Sequence, residues 1–185
     1  LKADTVMRLW TDIAESVSAS GVNKLVLFNT HGGNVGLMDV VGRELRTRLG
    51  MLVYSVSWFN LPLKSPDGED LMTRFSADEQ RFGVHGGQIE TAMMLALKPR
   101  LVRQSKMQAF ESSSQARAAA HRILGNGKSA KLAWAAQDLN HEGAAGNAAA
   151  ATVDDGMALL DAAGRALADL LKEIDRLPAD TLKAG

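Results

Sequence analysis

The 185-residue sequence contains no cysteine. That absence removes disulfides, thiolate metal ligands and cysteine nucleophiles together, so any metal site in this chain has to be built from histidine and carboxylates. An excess of one charge sign is also missing. Lys+Arg number 21 and Asp+Glu number 21, and no global field recruits nucleic acid or an anionic membrane. No apolar run approaches the roughly 20 residues of a membrane span. Leu1-Lys2-Ala3-Asp4-Thr5 has neither the basic end nor the apolar stretch of a signal peptide, and a cytoplasmic protein is expected. Three common catalytic or nucleotide-binding frames are absent as well: the G-x-S-x-G elbow, the Walker A loop and G-x-G-x-x-G. What is present is an ordinary globular composition, 46% hydrophobic and 23% charged, with a length that suits one α/β domain over residues 1–185.

The apolar pattern alternates between helix and strand. Val6, Leu9, Trp10, Ile13, Ala14 and Val17 recur at helical spacing and predict a helix from Thr5 to Ser20. Lys24 to Asn29 is a short apolar run that fits a strand buried on both faces, as in a parallel sheet. A helix over 35–49 and a strand over 51–58 complete a helix–strand–helix–strand series, the repeating unit of a parallel α/β sheet. Residues 60–80 read as a charged loop with Pro62 and Pro66. A helix over 88–97 ends at Lys98-Pro99. Residues 108–124 form a polar, Ala-rich segment, and 132–139 suggests a further strand. Thr152 is placed to cap a final helix to Leu177, with Asp154 and Asp155 in its first turn. Trp10 and Trp134 read as core residues, whereas Trp58 ends a strand on the side where ligands bind in open α/β sheets.

A repeated tripeptide carries the chemistry. His-Gly-Gly stands at His31-Gly32-Gly33 and at His85-Gly86-Gly87, where roughly 0.03 copies are expected by chance from 4 His and 17 Gly. Both copies open a predicted helix, and the first follows a strand directly. The glycines let backbone approach a ligand closely. His31 reads either as a metal ligand or as a turn histidine that caps the next helix; Asn29 and Asn34 bring amides to the same place. Glu90 reads either as an acid that complements the helix dipole or as a metal ligand, with His85 as a proton carrier beside it. His121 and His141 read as surface residues. A different class also suits these turns: a non-catalytic domain that holds a small anion at the helix N-termini near Gly33 and Gly87.

Asn29-Thr30-His31-Gly32-Gly33-Asn34 resembles the N-x-H-G-G-N signature of the creatininase (creatinine amidohydrolase) family. His85-Gly86-Gly87-Gln88-Ile89-Glu90-Thr91 is similar to that family's H-[AG]-G-x-x-E-T signature. The stretch from Glu142 through Asn147, with Ala151, Thr152 and Gly156, is similar to its late segment. The resemblance implies a three-layer α/β/α fold with a mostly parallel central sheet. It also implies a metal-dependent amidohydrolase that cleaves a non-peptide C–N bond, in a cyclic amide or a formamide, with a metal-activated water. On the matching positions His31 and Glu90 would be metal ligands, with two divalent ions (Zn, Mn or Fe) per complete site. His85 and Glu90 would be catalytic. Asn29, Asn34, Trp58, Gly86 and Gly87 would bind a small-molecule amide. A homo-oligomer is implied too.

Two departures stand out. The creatinine-cleaving branch carries an acidic residue two positions after the first histidine, where this sequence has Gly33. The family's first strand and following loop supply an acidic residue, a histidine and a bridging aspartate to the metals, and Asp4 and Asp12 lie on the wrong element to replace them. The chain also opens on Leu1 rather than Met. It is therefore expected to be an N-terminally truncated family member, holding about half of a two-metal site.

Overall fold

A computed structural model describes residues 1–183. In chain order the main elements are α1 (Ala3–Ala19), β1 (Lys24–Asn29), α2 (Val35–Leu49), β2 (Leu52–Ser57), α3 (Ala77–Phe82), α4 (Gln88–Leu97), β3 (Ala109–Phe110), α5 (Ser113–Ala120), α6 (Ala136–Leu139), β4 (Gly146–Asn147) and α7 (Val153–Arg176). They form two compact units, Leu1–Pro62 with Ala163–Gly185, and Leu63–Ala162. The class is α/β, with the parallel strands expected from the alternation of apolar patterns.

The first unit is a β–α–β crossover with a second helix against it. β1 and β2 pair in parallel from Lys24↔Leu52 to Asn29↔Ser57, and parallel neighbours need a crossover such as α2 between them. Val41 and Leu45 of α2 and Ala14 of α1 are buried together, with Met7, Trp10, Leu25, Leu49 and Val53 around them. Gly50, at φ 67°, ends α2 in the left-handed conformation that suits a helix stop. The carboxyl end of α7 is closed by a side chain from β1. Lys24 Nζ donates to the carbonyls of Ile174, Asp175 and Leu177 at 3.1, 2.6 and 2.7 Å, acceptors that a helix end otherwise leaves to water.

Two expectations need correction in this unit. β1 is not buried on both faces: Leu25 to Leu27 are half-buried and Phe28 is 44% exposed. Among the described residues β1 has one strand partner, β2, so its other edge carries no ladder. The apolar stripe of α1 is also wider than its buried part, since Leu9 and Ile13 are exposed while Ala14 is buried.

The second unit is built from short elements. Leu63, Leu71, Phe75, Ala92, Leu95, Leu139, Ala145, Ala148, Leu159 and Ala162 supply its buried apolar side chains. Gly156 lets α7 run against α4 at Ala92, where a Cβ would overlap the Ala92 carbonyl. Thr152 caps α7 as expected, accepting from Asp155 N at 3.1 Å and donating to the Asp155 carboxylate at 2.7 Å. The 60–80 loop contains a 3-10 turn, Leu71–Arg74, and the start of α3, whose Ser76 Oγ accepts from Glu79 N at 3.1 Å. The strand expected over 132–139 does not form. Asp138 instead accepts from Ala135 N at 2.8 Å and closes one helical turn, α6. Trp134 is not core; it is 38% exposed and its ring lies 6.1 Å from that of His85. No helix among the described residues is long and apolar enough to cross a membrane.

Candidate functional site

The first turn stands at the carboxyl end of the parallel pair. Asn29 ends β1 with 2% of its surface exposed. Its Oδ1 accepts from His31 N at 3.0 Å and from Asn34 Nδ2 at 3.4 Å, and its Nδ2 donates to Ser57 Oγ at 3.1 Å. The buried amide therefore ties the ends of β1 and β2 to the turn that follows. Trp58 is the next residue after Ser57 and opens a 3-10 turn with Phe59, the two rings meeting edge to face at 6.1 Å. Asn29, His31, Asn34 and Trp58 are thus gathered at one end of the sheet. An apolar groove of about 300 Å³ lies alongside, with Trp10, Ile13, Phe28, Asn29 and Asn34 among its walls.

His31 is exposed, and its Nδ1 accepts from Gly33 N at 3.3 Å. This is the capping geometry. A metal at Nδ1 would have to displace Gly33 N from the ring.

The second turn is held at almost every N–H. His85 N donates to Ala145 O at 3.3 Å and Ala145 N returns to His85 O at 2.7 Å. Gly86 N donates to Glu90 Oε2 at 2.5 Å, and Gln88 N donates to Glu79 Oε1 at 2.6 Å. Thr91 Oγ1 donates to Gly86 O at 3.2 Å. Gly86 adopts φ 64°, a conformation that favours glycine. Gly87 is buried for a different reason: a Cβ there would overlap the Glu79 carboxylate. His85 itself is half-buried beside Trp134.

Glu79 is the residue that sequence reasoning missed. It is 4% exposed, and its Oε2 accepts from Asn147 N at 2.7 Å. The signal was ambiguous, because Ser76-Ala77-Asp78-Glu79 has the spacing of a helix capping box. Here Ser76 performs its half of that motif, while the Glu79 carboxylate turns instead to Gln88 and Asn147. His121 and His141 are exposed, as expected; His141 Nε2 lies 3.8 Å from Glu142 Oε1.

The candidate metal ligands do not make a metal centre as they stand. Among the described residues no three His, Asp or Glu side chains are grouped to hold an ion. His31 is in the first unit and Glu90 in the second. One nitrogen of His31 and one oxygen of Glu90 are already engaged with backbone N–H groups.

A family model for creatininase, creatinine amidohydrolase, matches residues 1–171. The chain belongs to the creatininase family. Solved creatininase-family structures share its fold. A protein assigned as a creatinine amidohydrolase, from Bacteroides fragilis NCTC 9343, is 24% identical with a TM-score of 0.71, over 96% of this chain and 64% of that one. A creatinine amidohydrolase (creatininase) is 22% identical with a TM-score of 0.67, over 96% and 66%. A manganese creatininase is 23% identical with a TM-score of 0.65, over 94% and 65%. This creatininase-family chain therefore has the fold of metal-dependent amidohydrolases, and spans just under two thirds of the length of these solved chains. Mutant creatininases have also been solved in a Zn–Zn form and in complex with creatine. No protein of curated function matches the sequence closely enough to count as a relative.

Proposed function

We propose that this chain is part of an amidohydrolase that cleaves a non-peptide C–N bond in a small cyclic amide or formamide, with His85 giving a proton to the departing nitrogen. The observation that supports this most is the second turn. Hydrogen bonds at His85, Gly86 and Gln88 fix the backbone and leave the imidazole half-exposed beside Trp134. A preset general acid of this kind is worth about 10² to 10⁴ in rate. Asn29 and Asn34 hold the first turn, with Trp58 at the same sheet end; at the second turn Gly86 keeps its substrate-binding reading, whereas Gly87 is buried with its Cβ space taken by the Glu79 carboxylate. Residues 1–185 are taken as one creatininase-like domain, because the family match runs through both units. A small-molecule partner, a cytoplasmic setting and a homo-oligomeric state belong to the same proposal.

Two divalent ions (Zn, Mn or Fe) would supply a nucleophilic water in such an enzyme. His31 and Glu90 are the ligands this chain would offer, but each side chain is engaged with a backbone N–H, and among the described residues no three His, Asp or Glu side chains are grouped to hold an ion. The lack of such a group among the described residues supports the reading that this chain carries only part of a two-metal site. The rival reading, a small-anion site at Gly87, meets a direct obstacle. The N–H groups of Gly86 and Gln88 are bound by two carboxylates, Glu90 and Glu79, whose charge would repel an anion.

Hydrolysis of creatinine and of N-formyl amines, assayed with and without Zn²⁺ or Mn²⁺, tests the proposal. The chain should turn over slowly, and His85→Asn should lower that rate by about 10²-fold or more. Turnover indifferent to His85→Asn overturns the proton-donor reading, whereas a chain inert toward both substrate classes is what a partial site alone gives. Tight uptake of two ions per chain overturns the partial-site reading.

A further inference from the structure

We infer that Glu79 is the positioning residue for His85: its buried carboxylate clamps the His85-Gly86-Gly87 turn to the Gly146-Asn147 strand and so sets where the imidazole stands. The inference rests on the reading of His85 as the proton donor.

One carboxylate joins two distant stretches of chain. Oε1 accepts from Gln88 N at 2.6 Å, at the start of α4, and Oε2 accepts from Asn147 N at 2.7 Å, in β4. The neighbouring backbone pair, His85 with Ala145, closes the same junction from the other side of the turn. The His85 backbone is thus bracketed between a direct pair and the Glu79 bridge.

The surroundings are shaped to this side chain. A Cβ on Gly83 or Gly87 would overlap Glu79 Oε1, and one on Gly146 would stand 3.0 Å from it and 2.7 Å from the Gly87 Cα. Three glycines leave the room that the carboxylate fills. Burying a carboxylate is costly unless hydrogen bonds offset it, and an apolar residue of similar size often serves stability as well or better. Placing it next to α4, a ten-residue helix whose N-terminus carries positive partial charge, lowers that cost. An apolar side chain would fill the space, but it would leave Gln88 N and Asn147 N without acceptors. The consequence that only an acceptor pair provides is a fixed backbone immediately around His85.

Histidine ring NMR on Glu79→Gln tests this directly. Glutamine keeps the shape, but its amide NH₂ must face one of the two backbone N–H groups. With the fold retained by circular dichroism, the His85 ring signals should shift or broaden. Those of His31, His121 and His141 should hold. Turnover should fall about tenfold or more in kcat with KM little changed, since misplacing a catalytic group by about 1 Å can cost 10²-fold. If glutamine prevents folding, Glu79→Asp keeps the charge but is one methylene short of spanning both donors, and it is read in the same way. A folded variant whose His85 signals stay in place overturns the inference. If His85 signals move in Glu79→Gln while His85→Asn leaves turnover intact, the clamp stands and the proton-donor reading falls.

Discussion

Gly156 and Gly164 lie eight residues apart in one helix, α7, and alanine should act on them with opposite signs. A Cβ at Gly156 would overlap the backbone carbonyl of Ala92 and stand 3.0 Å from the Ala96 Cβ. Backbone cannot rotate away as a side chain can, so α4 and α7 must separate. Ala92 is 0% exposed and Leu159 1%, and separation loosens both. Overpacking of this kind costs about 1–3 kcal/mol, at the upper end where backbone is the obstacle. Alanine returns about 1 kcal/mol through its better helix propensity. The net expectation for Gly156→Ala is a loss of about 2 kcal/mol. A Cβ at Gly164 meets no atom within 4 Å, so Gly164→Ala keeps only the propensity gain of about 1 kcal/mol. Urea unfolding followed by circular dichroism reads both. With a slope near 2 kcal/mol/M, the midpoint should fall by about 1 M for Gly156→Ala and rise by about 0.5 M for Gly164→Ala. If the two units unfold in separate steps, each substitution moves the step of its own unit. A Gly156→Ala midpoint equal to or above the parent's would refute the close crossing of α4 and α7.

Three other perturbations follow from named contacts. Lys24→Met should lower the urea midpoint without changing the slope, by an amount worth about 1–3 kcal/mol, because three carbonyls at the end of α7 lose a charged donor. Thr152→Ala should cost about 1 kcal/mol in the same assay, as the Asp155 N–H loses its cap; no change would mean that water replaces the hydroxyl fully. His31→Ala should abolish whatever Zn²⁺ uptake the chain shows in equilibrium dialysis, while the loss of its long capping bond to Gly33 costs less than about 1 kcal/mol. Uptake unchanged by this substitution would place the ion elsewhere.

The long elements were legible in the sequence because each has an internal signal. Residues 24–29, 35–49 and 88–97 match the expected spans, and Thr152 caps α7 as read. Those segments are either apolar runs or periodic stripes bounded by glycine, proline or a capping hydroxyl. The segment 132–139 failed the same logic. Leu132 and Trp134 suggested a strand, yet both are exposed and no strand pairs with them among the described residues. Asp138 had the deciding vote through a bond to Ala135 N, a local cap that outweighs weak β propensity. β3 and β4, two residues each, fall below any period.

The two turns of the candidate site were legible in their letters and hidden in their mechanics. The repeated tripeptide pointed to both turns, but the two copies are not built alike. At His31-Gly32-Gly33 the turn closes on itself. The Asn29 amide and the His31 ring take up the local N–H groups, and a Cβ on Gly32 would meet nothing within 4 Å. At His85-Gly86-Gly87 the turn closes on a carboxylate brought from α3. Gly86 is needed for its positive φ and Gly87 for the space Glu79 occupies. Both partners of Glu79 are backbone N–H groups, which every residue but proline carries. No side-chain pattern announces them. The glycines do: a Cβ on Gly83 or Gly87 would overlap the Glu79 carboxylate, and one on Gly146 would crowd it and the Cα atoms of Gly83 and Gly87. Their common neighbour could have been sought as a residue able to reach all three, and Glu79, standing four positions before Gly83 on a helix, is spaced to do so.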